Sequence, residues 1–154
     1  MNIFKYLILL ILCIGPSSCG LFKRDCNQAI DIIISDTRNL DGDYIAYTSW
    51  ECGHDTTIKV LNSWDGDINL KRTIAHELIH AATGKSKHLD DYNCYFYQSM
   101  ITILPPPCPI ELEMMSSVHQ TFYITVLTPR LLEPTLWAAD FWNLYTGNMM
   151  FVVN

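Results

Sequence analysis

Between residues 26 and 62 the apolar positions come in short groups rich in β-branched and aromatic residues: AIDIIIS at 29–35, DYIAYTSW at 43–50 and TTIKVLN at 56–62. RNLDGD and ECGHD separate them and read as turns. The pattern predicts a small sheet, although 29–34 also fits a short helix. From residue 62 the period changes. In NSWDGDINLKRTIAHELIHAATG the apolar residues Ile74, Leu78 and Ala81 fall at i, i+4 and i+7, one stripe of a helix suited to core burial. Asp67 or Asn69 is placed to cap its start, and Gly84 to end it in a left-handed conformation. Thr73, His76, Glu77 and His80 fall on the other side, away from that stripe.

A second helix is expected over 89–104, where Leu89, Asn93, Phe96, Met100 and Ile103 recur at three or four residues. The prolines of 105–109 stop it, because they remove amide donors and force an extended chain. The segment 110–129, IELEMMSSVHQTFYITVLTP, is ambiguous, and 133–147, EPTLWAADFWNLYTG, reads as a helix ending near Gly147. Trp137, Phe141, Trp142 and Tyr145 on it suit core packing better than a ligand box. A chain of 154 residues is one domain in length.

The first residues follow another rule. Lys5 precedes an apolar run over 6–14, followed by Gly15, Pro16 and small residues. That is the grammar of a secretory signal peptide, and the run is shorter than the roughly 20 residues that span a bilayer. The expected division is a leader over 1–18 and a single domain over 19–154, in an exported protein. PSSC at 16–19 resembles a bacterial lipoprotein signal, which implies lipidation of Cys19 and a membrane-anchored product; without the lipid the expected product is periplasmic or secreted. Cleavage there leaves Cys26, Cys52, Cys94 and Cys108, enough for two disulfides in any of three connectivities.

Charge narrows the partners. The net charge of −6 is not built to neutralise phosphates, so nucleic acid is excluded as a ligand. The small basic group Lys71, Arg72, Lys85 and Lys87 reads as a solvated helix flank. Membrane association is expected only through the leader or a lipid on Cys19.

The chemistry sits in one motif, H-E-x-x-H at His76, Glu77 and His80. Residues four apart stack on one helix face, so two imidazoles can share one ion, with zinc the natural choice for neutral nitrogen ligands. Glu77 points about 100° round the helix from His76, off the metal but within reach of a water beside it. Zinc would acidify that water and polarise a carbonyl while Glu77 carries the proton, which is metal-assisted hydrolysis. Shuffling the chain's residues yields fewer than about 0.01 such motifs by chance, before any demand for a helix.

TIAHELIHAATG resembles the catalytic helix of zincin metallopeptidases. The short strands, TTIKVLN, the helix, the Gly turn and the His after it are similar to the matrixin-like members of the metzincin clan, over residues 56–88 with weaker support to 117. The resemblance implies an α+β zincin-like single domain, with a small N-terminal β-sheet followed by the HExxH helix and further C-terminal helices. It implies a zinc-dependent endopeptidase acting on peptides or proteins, with His76 and His80 as ligands and Glu77 as general base and acid.

Metzincins carry H-E-x-x-H-x-x-G-x-x-H, whereas here the gaps on either side of Gly84 are each one residue longer. His88 is the preferred third ligand, and Asp90 and Asp91 are its rivals in an arrangement similar to the aspzincins. A gluzincin-like reading with Glu111, Glu113 or Glu133 ranks below both. EMMSS at 113–117 looks like the clan's Met-turn, with Met114 and Met115 as candidates, although adjacent methionines also serve as packing. Tyr92, Tyr95 or Tyr97 could stabilise an oxyanion, but half-buried packing is the plainer expectation. His54 and His119 have no partner spacing. The competing function is a non-catalytic exported lipoprotein that uses zinc structurally or to bind a partner, since structural sites are closed by four protein ligands.

Overall fold

The computed structural model describes residues 31–50, 54–64, 66–85 and 107–154. The leader, the helix expected over 89–104 and its tyrosines, His88, Asp90, Asp91 and every cysteine except Cys108 lie outside these residues. In chain order the elements are β1 (Ile32–Thr37), β2 (Ala46–Ser49), β3 (Thr56–Leu61), α1 (Asp67–Thr83), α2 (Pro109–Ser116), β4 (Phe122–Val126), a 3₁₀ turn (Pro129–Leu131), α3 (Leu132–Thr146) and β5 (Phe151–Val153). The chain is therefore a mixed α+β fold.

All three N-terminal apolar groups are strands, including the one over 29–34 that also fitted a helix. The sheet is not confined to the N-terminal part, however. Its order is β2-β3-β1-β4-β5, so two of five strands come from the far end of the chain. β1 pairs in parallel with both β3 and β4, which makes it the centre of the sheet. The segment 110–129 splits into a helix and a strand, and β4, α3 and β5 form a parallel β-α-β unit laid against β1. β2 is the antiparallel edge, with Thr48 opposite Ile58 and Ala46 opposite Val60.

Period-2 alternation sorts the strand residues by face. Ile32, Ile34, Ile58, Val60, Phe122 and Ile124 are fully buried and meet Ile74, Leu78, Ala81, Trp142 and Met115 from the helices. The stripe expected on α1 is thus the one that packs. Phe122 and Phe151 stack across the β4/β5 register at 5.7 Å between centroids. Asn143 on α3 ties β5 down, accepting the Met150 and Phe151 amides at 2.8 and 3.0 Å and donating to the Phe151 carbonyl at 2.8 Å. Of the α3 aromatics, Trp142 is core, Trp137 and Phe141 are partly buried against it, and Tyr145 is on the surface, 38 % exposed.

The caps of α1 differ in part from expectation. Gly66, not Asp67 or Asn69, stands at the N-cap, with φ 99° and no side-chain cap. A side chain rarely adopts that φ, so glycine lets the helix begin at Asp67, with the Asn69 and Leu70 amides both 3.0 Å from the Gly66 carbonyl. At the other end Gly84 takes the left-handed conformation and its N–H bonds the His80 carbonyl at 2.9 Å. No described helix is long and apolar enough to cross a membrane.

Candidate metal centre

α1 carries the motif, and three contacts fix its orientation. Its apolar stripe lies on the sheet, Trp142 of α3 donates its indole N–H to the Ala75 carbonyl at 2.8 Å, and Trp64 donates to Thr73 Oγ1 at 3.2 Å. The backbone immediately before His76 is therefore held from outside the helix as well as within it.

His76 and His80 converge. Their Nε2 atoms are 3.1 Å apart, and the rings meet edge-on with centroids 4.8 Å apart. Two nitrogens bound tetrahedrally to zinc at about 2.0–2.1 Å lie roughly 3.3 Å apart, so the pair already has the bite of a zinc chelate. The tautomer of His80 follows from its other nitrogen: Nδ1 lies 2.5 Å from the Lys85 carbonyl oxygen. A carbonyl only accepts, so Nδ1 carries the proton and Nε2 of the neutral ring keeps its lone pair. That lone pair can take an Nε2–H from His76 or, with His76 in its other tautomer, share a cation with it. A ring N–H donated to a backbone carbonyl is the usual support of a ligating histidine. Lys85 follows Gly84 directly, so the left-handed cap that ends the helix also brings this carbonyl to His80.

Glu77 is not on an open face. It is 8 % exposed, covered by edge strand β2, and Thr48 Oγ1 donates a short hydrogen bond to Glu77 Oε2 while lying 3.3 Å from the Glu77 carbonyl oxygen. Burial raises the Glu77 carboxyl above its ordinary 4.5, opposed by the Thr48 hydrogen bond and by the nearby His80. The polar side of α1 is thus half-closed by the strand crossing it. Thr48 was not among the residues singled out by pattern. Its only signal was a hydroxyl at an inward position of the alternating run at 43–50.

Among the described residues no group of three His, Cys, Asp or Glu side chains converges as a metal site. Glu133 is engaged by Lys71 at 3.0 Å, and Glu113 is exposed. Glu111 is partly buried in the first turn of α2, accepting the Cys108 amide at 3.3 Å. His54 and His119 are exposed. The tight turn expected at 113–117 is instead helical through Ser116: Met115 is wholly buried in the core and Met114 packs on its margin. The Ser117 amide lies 3.2 Å from the Glu113 carbonyl and 3.3 Å from that of Met114, and the Val118 amide 3.0 Å from that of Met115, so the end of α2 tightens to i→i+3 bonding at the two methionines. Cys108 is disulfide-bonded and 2 % exposed.

Burial also pushes the Glu111 carboxyl above 4.5, against the pull of the Cys108 hydrogen bond. The native state then holds this proton more tightly than the unfolded chain does. The resulting stability is complete below the unfolded pKa and is lost as pH rises through the folded one. Denaturation of the parent and Glu111→Gln between pH 4 and 7 checks this. The variant is expected to gain on the parent as pH rises; a parent that gains on the variant contradicts it.

No protein-family model, curated protein or solved structure matches this chain.

Proposed function

We propose that the chain is an exported zinc-dependent metallopeptidase. The observation that carries the reading is the convergence of the His76 and His80 Nε2 atoms at 3.1 Å, beside a buried carboxylate one residue round the same helix. The donor set fits zinc: neutral imidazoles at chelating distance, with His80 held by the Lys85 carbonyl. His88 is the proposed third ligand, with Asp90 and Asp91 as alternatives, which leaves a position open in a tetrahedral site.

Zinc bound there supplies acidity to a water molecule and polarisation to the scissile carbonyl. The remaining steps belong to the protein. Glu77 takes the proton of the attacking water and delivers it to the departing amine, in surroundings from which β2 and α1 exclude most solvent. A carboxyl raised above its ordinary value by burial is a stronger base than one in water, which suits it to that proton transfer.

A second reading keeps the zinc as a structural staple in a binding lipoprotein. It draws on the same Thr48–Glu77 hydrogen bond, which ties the edge strand to the helix whether or not a reaction occurs. Zinc content, thermal shift and peptide cleavage of the full chain separate the two. The parent is expected to bind about one zinc and to melt higher with it, by about 2.7 kcal/mol of added stability at a hundredfold excess over Kd. His76→Ala and His80→Ala are each expected to abolish that shift, and His88→Ala to weaken it more than Asp90→Ala or Asp91→Ala. A zinc-loaded parent that leaves a broad peptide library uncut sinks the peptidase reading, and absence of any zinc-dependent shift sinks the metal centre.

A further inference from the structure

Thr48 lies on the inner face of the edge strand, 7 % exposed, two residues from Ala46 and opposite Ile58. Ala46 and Ile58 beside it on that face are apolar, and a Val would fill the same volume without burying a hydroxyl. Among the described residues the hydroxyl is satisfied by Glu77, through Oε2 and, more distantly, the main-chain carbonyl at 3.3 Å. A hydroxyl has a single proton, and the carboxyl oxygen at the shorter distance takes it. Thr is also β-branched, with a stiff χ1, and it is anchored in a sheet rather than on the helix it reaches.

We infer that Thr48 is a positioning residue for the proton carrier: it fixes Glu77 in one rotamer by holding Oε2, which leaves Oε1 as the oxygen that receives the proton of water. The inference rests on the peptidase reading above. Glu77 has three rotatable side-chain bonds on a helix, and its own neighbours on α1 supply no donor among the hydrogen bonds seen. The strand supplies the missing constraint from 29 residues away in sequence. Misplacing a catalytic group by about 1 Å costs up to roughly 100-fold, which sets the scale of the effect.

The test uses the full zinc-loaded chain with Thr48→Val, an isostere without the hydroxyl, and Thr48→Ser, which keeps it. Thr48→Val is expected to lower kcat roughly 10- to 100-fold with KM and zinc content unchanged, and Thr48→Ser to recover most of that loss. A merely structural Thr would show no such split between kcat and KM and no rescue by Ser. Full kcat in a folded Thr48→Val, or failure of Ser to rescue, overturns the role. A second measurement needs no activity: denaturation midpoints of Thr48→Val, Glu77→Met and the double variant in the metal-free chain. The change in the double variant is expected to differ from the sum of the single changes, whatever the sign of each, because the two groups share one bond. If the parent cleaves nothing, the peptidase reading falls on its own, and the cycle still decides Thr48: additive changes overturn its hold on Glu77.

Discussion

Glu77→Gln is expected to remove peptide hydrolysis, leave zinc binding intact and make the metal-free protein more stable. The first effect follows from chemistry: an amide cannot take a proton from water, and loss of a positioned general base lowers turnover roughly 10²- to 10⁴-fold. The second follows from placement, because His76 and His80 meet through their own Nε2 atoms without Glu77 between them. The third follows from burial. Glu77 is 8 % exposed, and desolvation outweighs both the Thr48 hydrogen bond and the attraction of His80 in setting its proton affinity. A raised carboxyl pKa means that the fold prefers the neutral form. Above it, the ionised group costs stability that an uncharged isostere does not. Gln has nearly the same shape, and its carbonyl oxygen still accepts from Thr48. A gain on the order of 1 kcal/mol, or about 2–4 °C in Tm, is the expected size. Thermal unfolding in EDTA at pH 7 measures it, and a variant that melts below the parent would show that the carboxylate stabilises the fold. Zinc content and cleavage of the loaded proteins complete the comparison.

The contrast between Glu77 and Thr48 shows what the sequence makes legible. The helix from Asp67 to Thr83, its buried stripe and the left-handed stop at Gly84 all depend on residues within a turn or two of one another, and periodicity reports them. His76, Glu77 and His80 belong to the same class, being three residues within little more than one turn of one helix. Thr48 does not. Its role exists only because β2 is the antiparallel edge strand that passes over α1, a fact of strand order that no local pattern encodes. The sheet divides the same way. β1, β2 and β3 stand out by alternation and turn residues, but β4 follows a short helix inside one segment of ambiguous period, and β5 is three residues long. Local pattern therefore predicts only the small N-terminal sheet and leaves 110–129 ambiguous, since nothing in 122–126 says that Ile124 pairs with Ile32.

Replacing the half-buried Arg130 is expected to be strongly destabilising. The side chain reaches from the turn before α3 to three places at once. It forks onto Asp36 at the end of β1, with Nε 2.9 Å and Nη2 2.7 Å from Oδ1. Nη2 and Nη1 also donate to the Leu61 and Trp64 carbonyls, at 3.1 and 3.2 Å. The Asp36 amide in turn donates to Thr128 Oγ1 at 3.0 Å. The ends of β1 and β3, the turn into α1 and the turn out of β4 are thereby pinned to one guanidinium. Its ion pair is only partly buried, at 29 % and 25 % side-chain exposure, so solvent screens much of the Coulomb attraction. The larger share of the effect is geometric: two main-chain carbonyls and a carboxylate lose donors together. Arg130→Met is expected to cost about 2–3 kcal/mol, or roughly 5–10 °C in Tm for a domain of this length. Arg130→Lys is expected to lose most of the same amount, because one ammonium cannot serve three acceptors held at the spacing of a planar fork. A Lys variant that melts with the parent would reduce the clamp to a simple charge pair. Leu61 and Trp64 stand just before α1, whereas the turns of α1 that carry His76 and His80 are also held by the buried Ile74 and Leu78 and by Trp142 on the Ala75 carbonyl. Zinc binding well below the transition is therefore expected to survive Arg130→Met, and its loss there would mean that the clamp and the histidine pair fold as one unit.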